Sequence, residues 1–297
     1  MSDSFKRVLK LIRDKMSAPI ISTLEGPLLG SIQIQQRILE QNYREMVRRG
    51  IVPSLTEVEY RVFSQNGEDG IIAFLLSAVG TESRLFFEIG VESGTECNSA
   101  NLAKNSSWDG WLVEGDSTLA ERARLHYETH PCTWTRNIRV ISSFVTQENI
   151  NDLIRDNHIP DNIDFLSVDI DGMDWWIWKA IRGLRPRVVA LEYNASFGPE
   201  LCVTVPYATD FARGKDTGLY HGASLRAFVK LGEEKGYRFV GCNSTGLNAF
   251  FVRSDLAANT VAAVSVERGY RPNTYRARFA TLEEQMRKLR ECEVVAV

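Results

Sequence analysis

The stretch from Arg84 to Thr95 reads R-L-F-F-E-I-G-V-E-S-G-T and decides the predicted fold. Apolar residues lead into an acid and two glycines, and a polar run follows, which is the order of a buried strand, a tight turn and a helix N-terminus. Gly90 and Gly94 would let the backbone approach a ligand closely. Glu88 could accept hydrogen bonds from that ligand's amine or hydroxyls. Because similar turns in other α/β proteins bind nothing, the stretch alone leaves the ligand site open.

From residue 85 onward, strand-like and helix-like segments alternate with short connections. This alternation predicts an α/β fold with a Rossmann-like, mostly parallel sheet of about seven strands and helices on both faces. Ligands then bind at the carboxyl ends of the strands, where the strand order reverses. We predict strands at 85–90, 110–115, 138–142, 163–169, 187–194, 237–241 and 249–253, and helices at 98–104, 118–129, 147–156, 174–181 and 223–235.

Composition limits the function classes. The chain has 297 residues with a net charge of -3, so no broad basic surface for nucleic acid is expected. No apolar run approaches the roughly 20 residues that cross a bilayer, and the N-terminus lacks the apolar centre of a signal peptide. The five cysteines are scattered without metal-ligand spacing, which is typical of reduced thiols in a cytoplasmic protein.

The regions outside the alternation predict additions to the main domain. Apolar residues at 5, 8, 9 and 12 lie among basic ones and form an amphipathic segment, which could touch a membrane surface or a partner but more often packs on its own domain. A second helical pattern covers 31–49 and stops near Gly50. We therefore divide the chain into an N-terminal helical cap (1–53), the main domain (54–254) and a C-terminal tail (255–297) with a helix at 282–292.

Two further motifs flank the glycine turn. Residues 64–70 read S-Q-N-G-E-D-G before an apolar helix, so Asp69 or Ser64 could cap that helix, or Gln65 could reach the ligand. Glu114 ends the second strand, 24 residues after Gly90. An acid in this place holds ribose hydroxyls in folds that bind dinucleotides and adenosyl ligands. Ser143 follows the third strand, where an adenine edge could bind.

The fourth and fifth strands end in acids. Asp169 and Asp171 lie at alternate positions after one strand, and Glu192 and Asn194 after the next. Oxygen atoms from neighbouring strand ends could bind a hard cation such as Mg²⁺. The alternative is that Asp171 caps the helix that begins near 174 and that Glu192 pairs with an arginine.

Taken together, these motifs resemble a known family. S-Q-N-G-E-D-G, E-I-G-V-E-S-G-T, V-E-G-D, F-L-S-V-D-I-D-G and V-V-A-L-E-Y-N are similar to motifs of class I S-adenosylmethionine (SAM)-dependent methyltransferases of the FkbM-like group, over roughly 63–253. Val91 and Glu92 interrupt the usual glycine motif of that class. The resemblance implies SAM bound by Gln65, Glu88, Gly90, Ser93, Gly94, Glu114, Ser143 and Asp169, and Mg²⁺ or Mn²⁺ held by Asp169, Glu192 and Asn194.

Methyl transfer to oxygen requires an aligned acceptor and removal of its proton. His221 is the candidate base because it follows the polar insert 195–219, where substrate-binding loops usually attach, with Tyr220 as the alternative. Asp169 and Asp171 complete the expected catalytic set.

We therefore expect a metal-assisted O-methyltransferase for a sugar or glycosylated small molecule. Three tryptophans at 175, 176 and 178 could stack on the acceptor ring, but core packing or a homo-oligomer interface is commoner. An NAD-dependent oxidoreductase and a non-catalytic adenosyl-ligand-binding scaffold are the alternatives.

Overall fold

The computed structural model describes residues 30–213, 218–257 and 261–297. Its strands form a central seven-stranded sheet and a separate pair of short strands. The strands are β1 (Leu85–Ile89), β2 (Asp109–Glu114), β3 (Ile138–Ser142), β4 (Phe165–Val168), β5 (Val188–Glu192), β6 (Val203–Thr204), β7 (Tyr237–Cys242), β8 (Asn248–Arg253) and β9 (Val295–Ala296).

The central sheet has the strand order β3-β2-β1-β4-β5-β8-β7. The first five strands are mutually parallel, and β8 runs antiparallel to both β5 and β7. The chain fills one side of β1 first and then crosses to the other side with β4, so the strand order reverses between β1 and β4. The predicted mostly parallel, seven-stranded Rossmann-like sheet is confirmed.

Helices cover both faces because successive strand residues point to opposite sides. Phe86 of β1 belongs to the hydrophobic core on one face, and Phe87 to the core on the other. The first face carries α1 (30–48), α2 (Glu68–Val79), α3 (Ala100–Asn105) and α4 (Ser117–Thr129), and the second carries α5 (Ile150–Asp156), α6 (Asp174–Ala180) and α7 (Leu225–Glu234).

The described residues on either side of this centre, 30–53 and 255–297 without 258–260, include helices that pack on it. Tyr43 of α1 contacts Phe74 edge to face at 5.3 Å between ring centroids. The predicted amphipathic segment near the N-terminus lies outside the described residues, and the division into cap, domain and tail stays a prediction. The tail adds α8 (Ser254–Ala257), α9 (Val266–Gly269) and α10 (Leu282–Leu289), and β9 pairs antiparallel with β6. Within the described ranges, no helix is both long and apolar enough to cross a membrane.

The start of the fourth strand differs from the sequence prediction, and the burial of the tryptophans decides between their two predicted roles. The fourth strand begins at Phe165, two residues later than predicted, because the buried Asp164 carboxylate accepts the backbone N–H groups of residues 82–84 beyond the sheet end. Trp175 and Trp178 are buried, and Trp178 contacts Phe251 at 5.2 Å between ring centroids. Core packing, rather than acceptor stacking, is therefore the role of these two tryptophans.

Candidate functional site

A cavity of about 530 Å³ opens at the carboxyl ends of β1, β2, β4 and β5, where the strand order reverses. Gly90, Glu114, Asp169 and Glu192 all line it, so the predicted ligand turn and the predicted acids face one space. The other predicted site residues that line this cavity are Gln65, Glu88, Ser143 and Asp171.

Gly90 brings the ends of β1 and β4 together. Its φ is +83°, and a Cβ atom at this position would lie 1.7 Å from the carbonyl oxygen of Asp169. The Asp169 N–H donates to the carbonyl of Ile89 at 2.9 Å, so the two chains are hydrogen-bonded at the same level. Only glycine fits here, and the close approach fixes where the Asp169 side chain enters the cavity.

Glu88 is buried beneath the turn that precedes α3. The carboxylate is 1% exposed and accepts hydrogen bonds from the backbone N–H groups of Asn98 at 2.9 Å and Ser99 at 2.7 Å, and from the Ser99 hydroxyl. Burial raises the pKa of Glu88, and these donors oppose the rise. Glu88 therefore holds the turn before α3 while it borders the cavity, and its contact with a ligand stays a prediction.

Ser93 and Gly94 do not line the cavity, contrary to their predicted role. The carbonyl of Gly94 accepts a hydrogen bond from the Tyr127 hydroxyl at 2.8 Å, and a Cβ atom on Gly94 would lie 2.8 Å from the Tyr127 ring. The Ser93 hydroxyl bonds to that of Thr95 at 2.9 Å. Gly94 is therefore needed for packing against α4.

Glu114 stands where an acid for ribose was predicted. Its two oxygens accept the backbone N–H groups of Glu92 at 2.7 Å and Asp116 at 2.9 Å, which fix the half-buried carboxylate at the cavity wall. Each oxygen keeps a lone pair for a hydroxyl donor. Ser143 borders the same part of the cavity, and Phe144, which sequence reasoning missed, stands beside it with 57% exposure.

Asp69 and Ser64 fix the S-Q-N-G-E-D-G loop, and the contact of Gln65 with a ligand stays a prediction. One Asp69 oxygen accepts the backbone N–H groups of Val62, Phe63 and Ser64 at 2.7 to 2.9 Å, and the Ser64 hydroxyl accepts that of Asp69 at 3.1 Å. These bonds fix the turn. Gln65 is left exposed at the cavity.

The turn after β4 differs from both alternatives for Asp171. Asp174 accepts the backbone N–H groups of Ile170 and Gly172, each at 2.9 Å, so Asp174 rather than Asp171 holds the turn into α6. Asp171 is exposed, has a φ of +58° and forms an ion pair with Arg213.

The Glu192 carboxylate is buried at the cavity, and one of its oxygens has no partner among the described residues. The residue is 7% exposed, with one carboxylate oxygen 3.6 Å from the Arg213 guanidinium and 3.8 Å from Nε2 of His221. Its other oxygen is buried and has no hydrogen-bond partner in the described part of the chain. Burial, followed by repulsion from neighbouring acids, raises the pKa of both Glu192 and Asp169.

The residues do not fit the predicted Mg²⁺ or Mn²⁺ triad. The Asn194 amide nitrogen donates to the carbonyls of Leu219 at 2.6 Å and His221 at 2.9 Å, and its oxygen accepts from Ser196 at 3.0 Å and Arg276 at 2.9 Å. Asn194 thus has no free ligand atom. Within the ranges described above, no three or more His, Cys, Asp or Glu side chains form a group that could hold a metal ion.

The predicted bases lie behind the cavity wall. His221 is 1% exposed, does not line the cavity and has Nε2 3.4 Å from the Arg276 guanidinium. Burial, together with the charges of Arg213 and Arg276, holds the pKa of His221 well below its usual value. The Tyr220 hydroxyl donates to the carbonyl of Glu293 at 2.7 Å. Neither residue lines the cavity, so this geometry does not support His221 as the base, and its catalytic role stays a prediction.

Sequence reasoning missed the residues that the insert and the tail contribute. Tyr207, Phe211 and Arg213 of the insert line the cavity beside Asp171. Arg276 comes from the tail and donates to the carbonyl of Gly218 at 2.9 Å and the hydroxyl of Ser196 at 3.0 Å. The position of the polar insert after β5 was the available signal for the first group.

Comparison with known proteins finds distant structural likeness only. No family model matches the chain, and no curated protein does. An O-methyltransferase from Bacillus cereus in complex with SAH matches at 16% identity and a TM-score of 0.41, over 71% of this chain and 88% of that one. Magnesium protoporphyrin IX methyltransferase from Synechocystis PCC 6803 with bound SAM matches at 11% identity and a TM-score of 0.41, over 63% of this chain and 78% of that one. A putative O-methyltransferase from Klebsiella pneumoniae matches at 14% identity and a TM-score of 0.40, over 71% of this chain and 87% of that one. At these values the likeness does not assign an activity, and the resemblance to the FkbM-like group stays a prediction.

Proposed function

We propose that the chain is a SAM-dependent O-methyltransferase acting on a small molecule. The observation that carries this proposal is the shared cavity, in which Glu114, at the end of β2, and the acids at the ends of β4 and β5 lie on either side of Gly90. Glu114 would bind the ribose hydroxyls. Ser143 and Phe144 would contact the adenine, and Gln65 the amino acid end of the ligand.

The turn before α3 argues against the NAD-dependent alternative. In dinucleotide-binding folds, the pyrophosphate lies on free N–H groups at the N-terminus of the helix after the first strand. Here the N–H groups of Asn98 and Ser99 are bound by the buried Glu88 carboxylate. A pyrophosphate here would meet the negative charge of Glu88 and could not bind these two N–H groups, whereas an adenosyl ligand without phosphates avoids that repulsion.

The acceptor we propose is a hydroxyl of a sugar or glycosylated small molecule. Phe211 and Tyr207 present aromatic rings to the cavity, and Asp169 and Asp171 present carboxylates that accept hydrogen bonds from hydroxyls. A saccharide has apolar ring faces and hydroxyl groups at its edges. The aromatic rings of the lining can contact the faces, and the carboxylates can accept hydrogen bonds from the hydroxyls. The proposal does not include a metal ion, because the Asn194 amide is fully used.

Calorimetric titration with SAH and, separately, with NAD tests the cofactor. We expect SAH to bind and NAD not to bind. Glu114→Gln should weaken SAH binding about tenfold or more, because hydrogen bonds to a charged carboxylate are stronger than those to an amide. Glu128→Gln, which changes an exposed carboxylate paired with Arg124 on α4, should leave SAH binding unchanged. Binding of NAD but not SAH would overturn the proposal.

Methyl transfer from labelled SAM to a panel of sugars and glycosides separates an enzyme from a binding scaffold. Turnover that persists after chelator treatment is the expected result. SAH binding with no transfer to any acceptor in a broad panel would favour the scaffold alternative.

A further inference from the structure

The unpartnered oxygen of Glu192 points to a ligand charge that the protein itself does not supply. Glu192 lines the cavity with 7% exposure, and its second carboxylate oxygen is buried without a donor in the described residues. A buried carboxylate oxygen without a hydrogen-bond partner is costly. Such a group persists where a ligand completes it.

The nearby arginines leave this part of the cavity negative. Arg213 forms its ion pair with Asp171 and remains 3.6 Å from the other oxygen of Glu192. Arg276 is used by Asn194, Ser196 and the carbonyl of Gly218. No described residue donates a hydrogen bond to the half-buried carboxylate of Asp169. Two acids, Asp169 and Glu192, therefore face the cavity with incomplete charge compensation.

The order of the strands places these two acids on the far side of the cavity from the ribose acid. Along the carboxyl edge of the sheet, β2 with Glu114 is followed by β1, then by β4 with Asp169 and by β5 with Glu192. Neighbouring strands are about 4.8 Å apart, so Asp169 lies roughly 10 Å along this edge from Glu114. An adenosyl ligand with its ribose on Glu114 and its amino acid part across Gly90 would therefore bring its sulfur toward Asp169 and Glu192.

We infer that Asp169 and Glu192 form a cation subsite that recognises the sulfonium of the methyl donor and favours it over the neutral by-product. This inference rests on the proposed function. SAM carries a positive charge at sulfur, whereas SAH is neutral there. Burial and repulsion from neighbouring acids raise the pKa of both carboxyls, and a positive charge between them would offset that repulsion.

A sulfonium would also place positive charge beside these acids without a metal ion. A sulfonium supplies one positive charge without requiring three ligand atoms. Loss of that charge when the methyl group leaves would weaken binding of the by-product and favour its release. The two acids would thus separate donor from by-product by charge alone, since the two molecules otherwise differ by one methyl group.

Calorimetry on the full-length protein tests this without an acceptor. The ligands are SAM, SAH and sinefungin, in which a protonated amine replaces the methylsulfonium. We expect SAM and sinefungin to bind on the order of tenfold more tightly than SAH to the wild type, because close charge pairs in a partly buried site favour binding to this extent or more. In Glu192→Gln this ratio should fall to near one while SAH binding changes little, and Asp169→Asn should reduce it similarly.

Glu96→Gln is the matched charge control. Glu96 also borders the cavity, but its carboxylate is exposed and paired with Arg61, so the SAM to SAH ratio should not change. Thermal unfolding of each variant separates a binding effect from a folding defect.

Each outcome decides between the inference and the proposed function. Equal binding of all three ligands to the wild type, or an unchanged ratio in both variants, would overturn the inference while leaving the proposed function intact. Binding of none of them would overturn the proposed function. Tight Mn²⁺ binding that requires Glu192 would replace the sulfonium subsite by a metal site.

Discussion

Replacement of Gly90 by alanine tests the close approach on which the cavity depends. The wild-type backbone has a φ of +83° here, and the added Cβ atom would lie 1.7 Å from the Asp169 carbonyl oxygen. The ends of β1 and β4 would have to separate by about 1.5 Å to restore ordinary contact, which would break the hydrogen bond from the Asp169 N–H to Ile89.

Gly236→Ala is the matched control, because Gly236 has a φ of +82° and no atom within 4 Å of the added Cβ. The positive φ costs about 1 kcal/mol in both variants. Gly90→Ala adds roughly 3 kcal/mol for the clash and the lost hydrogen bond. We expect a loss of about 4 kcal/mol in the free energy of unfolding for Gly90→Ala and about 1 kcal/mol for Gly236→Ala.

Urea denaturation measures both losses, and calorimetry with SAH measures the site. SAH binding should fall at least tenfold in Gly90→Ala, because separating the ends of β1 and β4 changes the shape of the cavity wall that Gly90 and Ile89 form, and should not change in Gly236→Ala. Equal losses of stability in the two variants would show that β1 and β4 do not approach as described. Normal SAH binding by a folded Gly90→Ala protein would refute the link between that approach and the cofactor site.

Three further predictions concern single side chains. Phe144→Ala should weaken SAH binding about tenfold through loss of adenine stacking, with Trp134→Ala, also exposed but away from the cavity, as a neutral control in the same titration. Burial lowers the pKa of Lys104 to about 8 from 10.5, so the folded protein binds fewer protons than the unfolded chain between these values, and stability should rise with pH across them. Urea denaturation should show that rise in the wild type and not in Lys104→Met, which should be more stable by about 2 kcal/mol at pH 7. Arg276→Met should raise the pKa of His221, followed by NMR titration of the ring, because one of the charges that lower it is removed; an unchanged pKa would contradict the 3.4 Å contact.

The sheet could be predicted because the sequence of each strand shows by itself where the strand lies and that both of its faces are buried. The run L-F-F-E-I of β1 is apolar on both faces, as a strand covered on both sides must be, and glycine follows it. The predicted strands match the observed ones within two residues at each end, and the 24-residue separation of Gly90 and Glu114 placed both correctly at the cavity.

The roles of individual polar residues could not be predicted in the same way. Glu88 and Asn194 lie at strand ends, as ligand residues do, but their hydrogen-bond partners come from residues up to 82 positions away. A sequence pattern places a carboxylate or an amide at the sheet edge. It does not show whether the backbone of a neighbouring loop has already used its hydrogen-bonding capacity, and that decides whether a ligand can bind.

The positive charge beside the acids comes from segments outside the alternating strands and helices. Arg213 belongs to the insert after β5, and Arg276 to the tail, whose strand β9 pairs with β6 of the same insert. Arg276 fixes the Gly218 end of that insert, and Arg213 holds Asp171 at the cavity. Because Arg213 pairs with Asp171 and also lies 3.6 Å from Glu192, while Arg276 occupies Asn194, the two guanidinium groups compensate the charge of Asp169 and Glu192 only in part. The tail therefore does more than cover the domain: by using Asn194, it removes the third ligand of the predicted metal site and leaves two carboxylates that suit a singly charged ligand.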